Sequence, residues 1–193
     1  MQKISYRIEK ITNPYYVMKF RMNWRRLPYI LDRLCDLQID IRKAHLRNNN
    51  TILYLKHSDG KEIPYKDVQS LVDEAIFDGY HDHYNRHKVN AIVLPVNTDI
   101  QLYNVPNLQK TTLEFSCNDR LGLLADMLDL LVQFPYDLHT GHISTVGPYA
   151  HNMFFLQKNK KQLTMEDVQY ISNVFEYEVK NREVFLQNSR PSQ

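Results

Sequence analysis

The residues best suited to chemistry fall in three places. The first is Cys117-Asn118-Asp119-Arg120-Leu121-Gly122, where an apolar strand runs into a glycine-containing turn and a strongly apolar helix follows at once. A helix N-terminus presents backbone N–H groups without intrahelical partners, together with the positive end of its dipole, to an approaching carboxylate or phosphate. Gly122 permits close approach, Asp119 suits a ligand ammonium or a helix cap, and Asn118 both donates and accepts. Such a set fits a zwitterion. The structural alternative makes Asp119 an N-cap, Arg120 a solvated side chain and Gly122 a point of tight helix–sheet packing. The second place is residues 79–87, which gather His81, Asp82, His83 and His87. Imidazoles and carboxylates ligate metals, yet the spacing matches no zinc pattern and the corresponding residues 172–180 hold no histidine. A polar linker and no metal site are expected there. The third is His45 with His142, a ligand or interface contact or, in the preferred reading, sheet histidines with backbone partners.

Catalysis has little to build on. Cys35 and Cys117 read as small core hydrophobes. No Cys–His pair is legible, and Gly-x-Ser-x-Gly, a Gly-Lys-Ser/Thr phosphate loop and His-Glu-x-x-His are all missing. No catalytic residue is assigned, no cofactor is expected, and the chain is expected not to be an enzyme.

Composition narrows the setting. Lys plus Arg number 24 against 22 Asp plus Glu, so no charge excess points to nucleic acid. Two cysteines are too few for a disulfide framework. No apolar run reaches a membrane span and the N-terminus lacks a hydrophobic signal segment, so a cytoplasmic protein without membrane contact is expected.

The elements that must position these residues are written twice. At an offset of about one hundred residues, Tyr16, Met18 and Phe20 meet Leu113, Phe115 and Cys117, and Ile30, Leu31, Leu34 and Cys35 meet Met127, Leu128, Leu131 and Val132. Ala44-His45-Leu46 meets Gly141-His142-Ile143, and Lys66-Asp67-Val68-Gln69 meets Glu166-Asp167-Val168-Gln169. The periodicities predict strands at 15–22, 40–48, 51–57 and 89–96 and helices at 27–37 and 64–77. The second copy repeats them as strands at 111–117, 136–146, 150–157 and 176–185 and helices at 121–134 and 164–175. Thr164 and Asp167 resemble a capping box with Asp for Glu. An extra strand at 4–10 and another at 98–104 precede the copies. The resulting β-α-β-β-α-β order predicts an α+β chain of two tandem ferredoxin-like units, antiparallel sheets with helices on one face. The domains are set at 1–97 and 98–188, with a flexible tail at 189–193. An RNA-recognition domain shares this order, but the third strands lack its glycine and basic pattern. RNA binding is not expected.

Residues 111–155 carry a family likeness. Asp119-Arg120-Leu121-Gly122-Leu123-Leu124, then His142-Ile143-Ser144-Thr145 with Gly147, then Ala150-His151-Asn152-Met153-Phe154-Phe155 resemble the ACT domain, a regulatory module of amino-acid metabolism. Residues 98–185 are similar to the C-terminal ACT repeats of bacterial PII uridylyltransferase/uridylyl-removing enzymes and to plant ACT-repeat proteins. Leu121 stands where the family usually has proline. The first copy departs at the turn itself, where Met22 replaces Asp119 and Arg25 replaces Gly122, so it is expected to hold no equivalent site.

The resemblance implies a small ligand, usually an amino acid, where the first turn of one unit faces the second strand of the other. It implies a site of Asn118, Asp119, Gly122, Leu123 and Leu124, completed by His142, Ile143 and Ser144, with His45 and Arg47 across the junction. The expected function is an allosteric, non-catalytic sensor that passes the signal to a protein partner and associates as a homodimer. The alternatives are a ligand-free interaction or dimerisation module and a regulatory subunit of a separately encoded enzyme.

Overall fold

The computed structural model describes residues 5–12, 14–47, 49–78 and 97–188. The strand at 89–96 and the histidines at 81, 83 and 87 lie outside these residues.

Alternating apolar and polar residues produce eight strands: β1 (Ser5–Thr12), β2 (Tyr15–Arg21), β3 (Ile39–Arg47), β4 (Asn50–His57), β5 (Asp99–Val105), β6 (Lys110–Asn118), β7 (Asp137–Val146) and β8 (Tyr149–Gln157). They form one antiparallel sheet in the order β1-β2-β4-β3-β7-β8-β6-β5. Each half contributes four neighbouring strands, and β3 pairs with β7 to join the halves. The leading strands β1 and β5, read as additions in the sequence, take the edge places beside β2 and β6.

Helices α1 (Leu27–Asp36), α2 (Tyr65–Asp78), α3 (Leu123–Val132) and α4 (Met165–Asn188) cover one face. The sheet residues turned to them are apolar: Met18, Phe20, Leu53, Leu55, Ala44, Leu46, Ile143, Phe154, Leu113 and Phe115 are all buried in a core that both halves share. The chain is therefore α+β, two tandem ferredoxin-like units whose sheets merge. Among the described residues no helix is long and apolar enough to cross a membrane.

One predicted strand is helix. Residues 176–185 continue α4 without a break. Neither glycine nor proline interrupts 165–188, and Glu, Lys and Arg there favour helix. The Glu-Tyr-Glu-Val alternation was too short a signal against that continuity. At the start of α4 the capping box is reciprocal: Asp167 N–H donates to Thr164 Oγ1 at 3.1 Å and Thr164 N–H to Asp167 Oδ2 at 3.3 Å.

Two departures from regular pairing bear on the site. In β3, Ile41 and Lys43 face consecutive residues of β4, leaving Arg42 as an extra residue; in β7, Leu138 and Thr140 do the same against β8, leaving His139. A bulge redirects its extra residue and reverses the parity of the strand beyond it. The repeat places both bulges at the same position.

Candidate functional site

The sheet pairing β3–β7 lays α1 beside α3 in opposite directions, so the turn before each helix meets the end of the other helix and the bulged strand of the other unit. Two related junctions result.

At the second junction, Gly122 is the residue before α3, with φ +81°. That backbone is left-handed, which an L side chain adopts at a cost. No side chain caps the helix. Asp119 is not the N-cap that the structural alternative proposed. Its N–H donates to Pro148 O at 2.7 Å, and its carboxylate faces Arg42 of the other unit at 3.2 Å. Arg42 Nη1 also donates to Asp40 at 3.1 Å, and its Nη2 to Gly147 O at 3.3 Å. The Asp119 side chain keeps only 12% of its exposure. Burial first, then the nearby Asp40 carboxylate, raises the Asp119 pKa, while Thr145 and Arg42 counter part of that shift. Arg120 is not solvated either: it folds over the start of α3, donating to Asp126 and, at 3.0 Å, to Leu121 O.

These groups surround a cavity of about 20 Å³, measured as the space open to the centre of a water-sized sphere. Its lining includes Cys35, Asp40 and Ile41 from the first unit and Asp119, Gly122 and Asn152 from the second. Of the residues expected at the site, Asp119, Gly122, Leu123, Leu124 and Ile143 line it. Asn118 is exposed at the end of β6, beside Tyr149. His142 and Ser144 lie on the opposite face of the sheet, because successive strand residues alternate faces and Ile143 takes the helix side. His45 and Arg47 also lie on that open face. His45 and His142 have each other as partners, with Nδ1 to Nδ1 at 3.2 Å, instead of backbone groups. Burial, Lys43 and His142 lower the His45 pKa.

Asp40 and Arg42 were missed in the sequence. The clue available was the repeat, which sets them opposite Asp137 and His139; the bulge that turns Arg42 into the junction has no sequence signature of its own.

At the first junction, the place of Asp119 is taken by buried Met22. Asn23 Oδ1 accepts from Arg25 N–H at 3.0 Å. The Arg25 guanidinium donates to the carbonyls of Val132 (2.7 Å), Phe134 (3.0 Å) and Tyr136 (2.7 Å). It satisfies the end of α3, where a cation is favoured by both hydrogen bonding and the dipole. Beside it opens a cleft of about 470 Å³, lined by Trp24 and Arg25, by Asp137, Leu138 and His139, and by Lys160. The turn expected to hold nothing thus borders the roomier of the two spaces. Burial, Lys110 and Arg47 lower the His139 pKa, favouring the neutral ring.

Among the described residues no group of three or more potential ligands could hold a metal ion. Cys117 is buried and Cys35 half-buried, and burial pushes both thiols up, to about 11 and about 12. Neither is poised as a thiolate.

Fold and junctions together define the class, a pair of ferredoxin-like units joined strand to strand in an ACT-like layout. No family model matches the chain, and no curated protein matches it. Among solved structures it is similar to the crystal structure of aspartate kinase from Synechocystis, with a TM-score of 0.47 and 11% identity, covering 76% of this chain and 24% of that one. The topology supports the ACT-like layout and does not bear on the likeness to the uridylyltransferase repeats.

Proposed function

We propose that the chain is a non-catalytic sensor of a small amino-acid-like ligand, held at the second junction. The observation that carries this reading is the Arg42–Asp119 ion pair across the junction, set against the glycine turn that opens α3. An ammonium can replace Arg42 at Asp119, and a carboxylate can take the helix N-terminus or the released guanidinium. Either exchange alters a contact between the two units. Ligand then shifts the population towards the packing it binds better, by no more than that difference in affinity. A protein partner, or a second copy of this chain, would read the change.

A thermal-shift series with the common amino acids tests this reading, on the natural protein and on Asp119→Asn. A ligand of the native state raises the Tm by mass action. A response lost in Asp119→Asn supports the second junction. The roomier cleft favours a second reading, in which the ligand sits at Trp24, Arg25 and His139. That reading predicts a response kept in Asp119→Asn and lost in Asp137→Asn. No response to any amino acid would leave the chain as an interaction module.

A further inference from the structure

We propose that the ligand of the second junction is a small amine of net positive charge, its ammonium seated between Asn152 and the carboxylates of Asp40 and Asp119. This inference rests on the sensor reading and narrows it.

Three independent features converge. The first is an unpartnered acceptor. Asn152 on β8 is 4% exposed and lines the cavity. Its Nδ2 donates to Met127 Sδ at 3.2 Å, which fixes the amide orientation because a thioether only accepts. Its Oδ1 then has no hydrogen-bond partner. A buried acceptor left this way is costly, and a donor entering the cavity removes the cost.

The second is charge. The lining carries Asp40 and Asp119 against the single guanidinium of Arg120, which is already engaged by Asp126. Arg42 is shared between Asp40 and Asp119. Behind the lining, along α1 and α3, stand Asp32, Asp126 and Asp129. Burial first, then Asp32 and Asp126, raises the Asp129 pKa to about 7. The region is therefore negative and short of cations. A second carboxylate brought in by an acidic ligand meets repulsion.

The third is the repeat. Arg25 of the first junction occupies the position of Gly122 in the second, and its guanidinium closes the end of the neighbouring helix. At Gly122 no side chain reaches the corresponding end of α1, and a Cβ built there would point to Cys35 Sγ at 3.4 Å. The first unit supplies a cation from its own chain; the second leaves that position to a ligand. A space near the size of one water suits an ammonium, whose three donors match one amide and two carboxylate acceptors.

The test is isothermal titration of the whole chain with putrescine, lysine, norleucine and glutamate. Norleucine matches the chain of lysine without its side-chain charge. Putrescine and lysine should bind at least ten-fold more tightly than norleucine, and glutamate should not bind. In Asn152→Leu the affinity for putrescine should fall at least ten-fold while the ligand-free Tm stays level or rises, because the substitution removes the orphaned acceptor. Asp40→Asn, altered at a partly exposed group, should weaken putrescine in the same direction. Norleucine binding as tightly as lysine would overturn the cationic assignment and leave the sensor reading standing. Asn152→Leu binding putrescine as the natural protein does would overturn the assignment too. If none of the four binds while another amino acid raises the Tm through Asp119, the charge assignment alone fails; if no amino acid acts at all, the sensor reading fails with it.

Discussion

Gly122 and Arg25 stand at one position of the repeat and solve different problems. Gly122 permits φ +81°, and a Cβ there would meet only ordinary contacts, 3.4 Å from Cys35 Sγ and 3.6 Å from Arg120 Nη1. The cost of Gly122→Ala is thus backbone strain, about 1 kcal/mol, read as a lower urea midpoint with unchanged slope. Gly122→Arg, which would copy the first turn into the second, pays the same strain and so does not isolate the ligand. Arg25→Lys should cost roughly 2–3 kcal/mol, because one ammonium on a flexible stem cannot serve the three carbonyls that the planar fork reaches. Asp129 makes a prediction in pH. Its folded pKa, about 7, lies above the ordinary carboxylate value, so folding favours the protonated form. That contribution is full below about pH 4 and is lost as pH rises through 7. Asp129→Asn should therefore match the natural protein in urea midpoint near pH 4 and exceed it at pH 8. A midpoint that falls at pH 8 would mean that the Asp129 charge is stabilising where it sits.

At the scale of elements, much was legible because burial imposes its period on the sequence. Met18 and Phe20 alternate, and Ile30, Leu31 and Leu34 follow a helical stripe, so β2 and α1 could be read directly. The repeat then confirmed each by its mate. What escaped was whatever breaks a period. Bulges at Arg42 and His139 left no trace in the alternation, so Arg42, which crosses to Asp119, was overlooked in favour of His45 and Arg47. The far end of α4 escaped for the opposite reason, since a short alternation imitated a strand inside a continuous helix. The turn at 118–122 was legible as a turn, yet its hydrogen bonds run across the junction, and no local rule assigns Asp119 to a partner 77 residues away. The seam between the halves yields a further expectation. Gly141 of β7 lies opposite Leu46 of β3, and a Cβ there would come within 3.0 Å of Leu46 Cδ1 and 3.1 Å of Phe154 Cδ1. Both neighbours are buried, so Gly141→Ala should overpack the seam and cost roughly 1–3 kcal/mol in urea unfolding.

On the scale of the whole molecule, duplication has produced two junctions from one plan and then separated their chemistry. One is closed by its own arginine beside an open cleft; the other keeps a glycine, an orphaned amide oxygen and an ion pair that spans the units. An ion pair with a guanidinium shared by two carboxylates is a contact that a competing ligand can rearrange, and rearranging it alters how the halves meet. The account stands or falls on which junction a ligand enters. The most direct measurement is amide NMR of the whole chain during titration with the amino acid or amine that gives the largest thermal shift. Saturable shifts at Asp119, Gly122, Leu123 and Asn152, with Asn23, Trp24 and Arg25 unmoved, are predicted. Shifts confined to Asn23–Arg25 and Asp137–His139 would contradict the account and place the ligand in the other cleft.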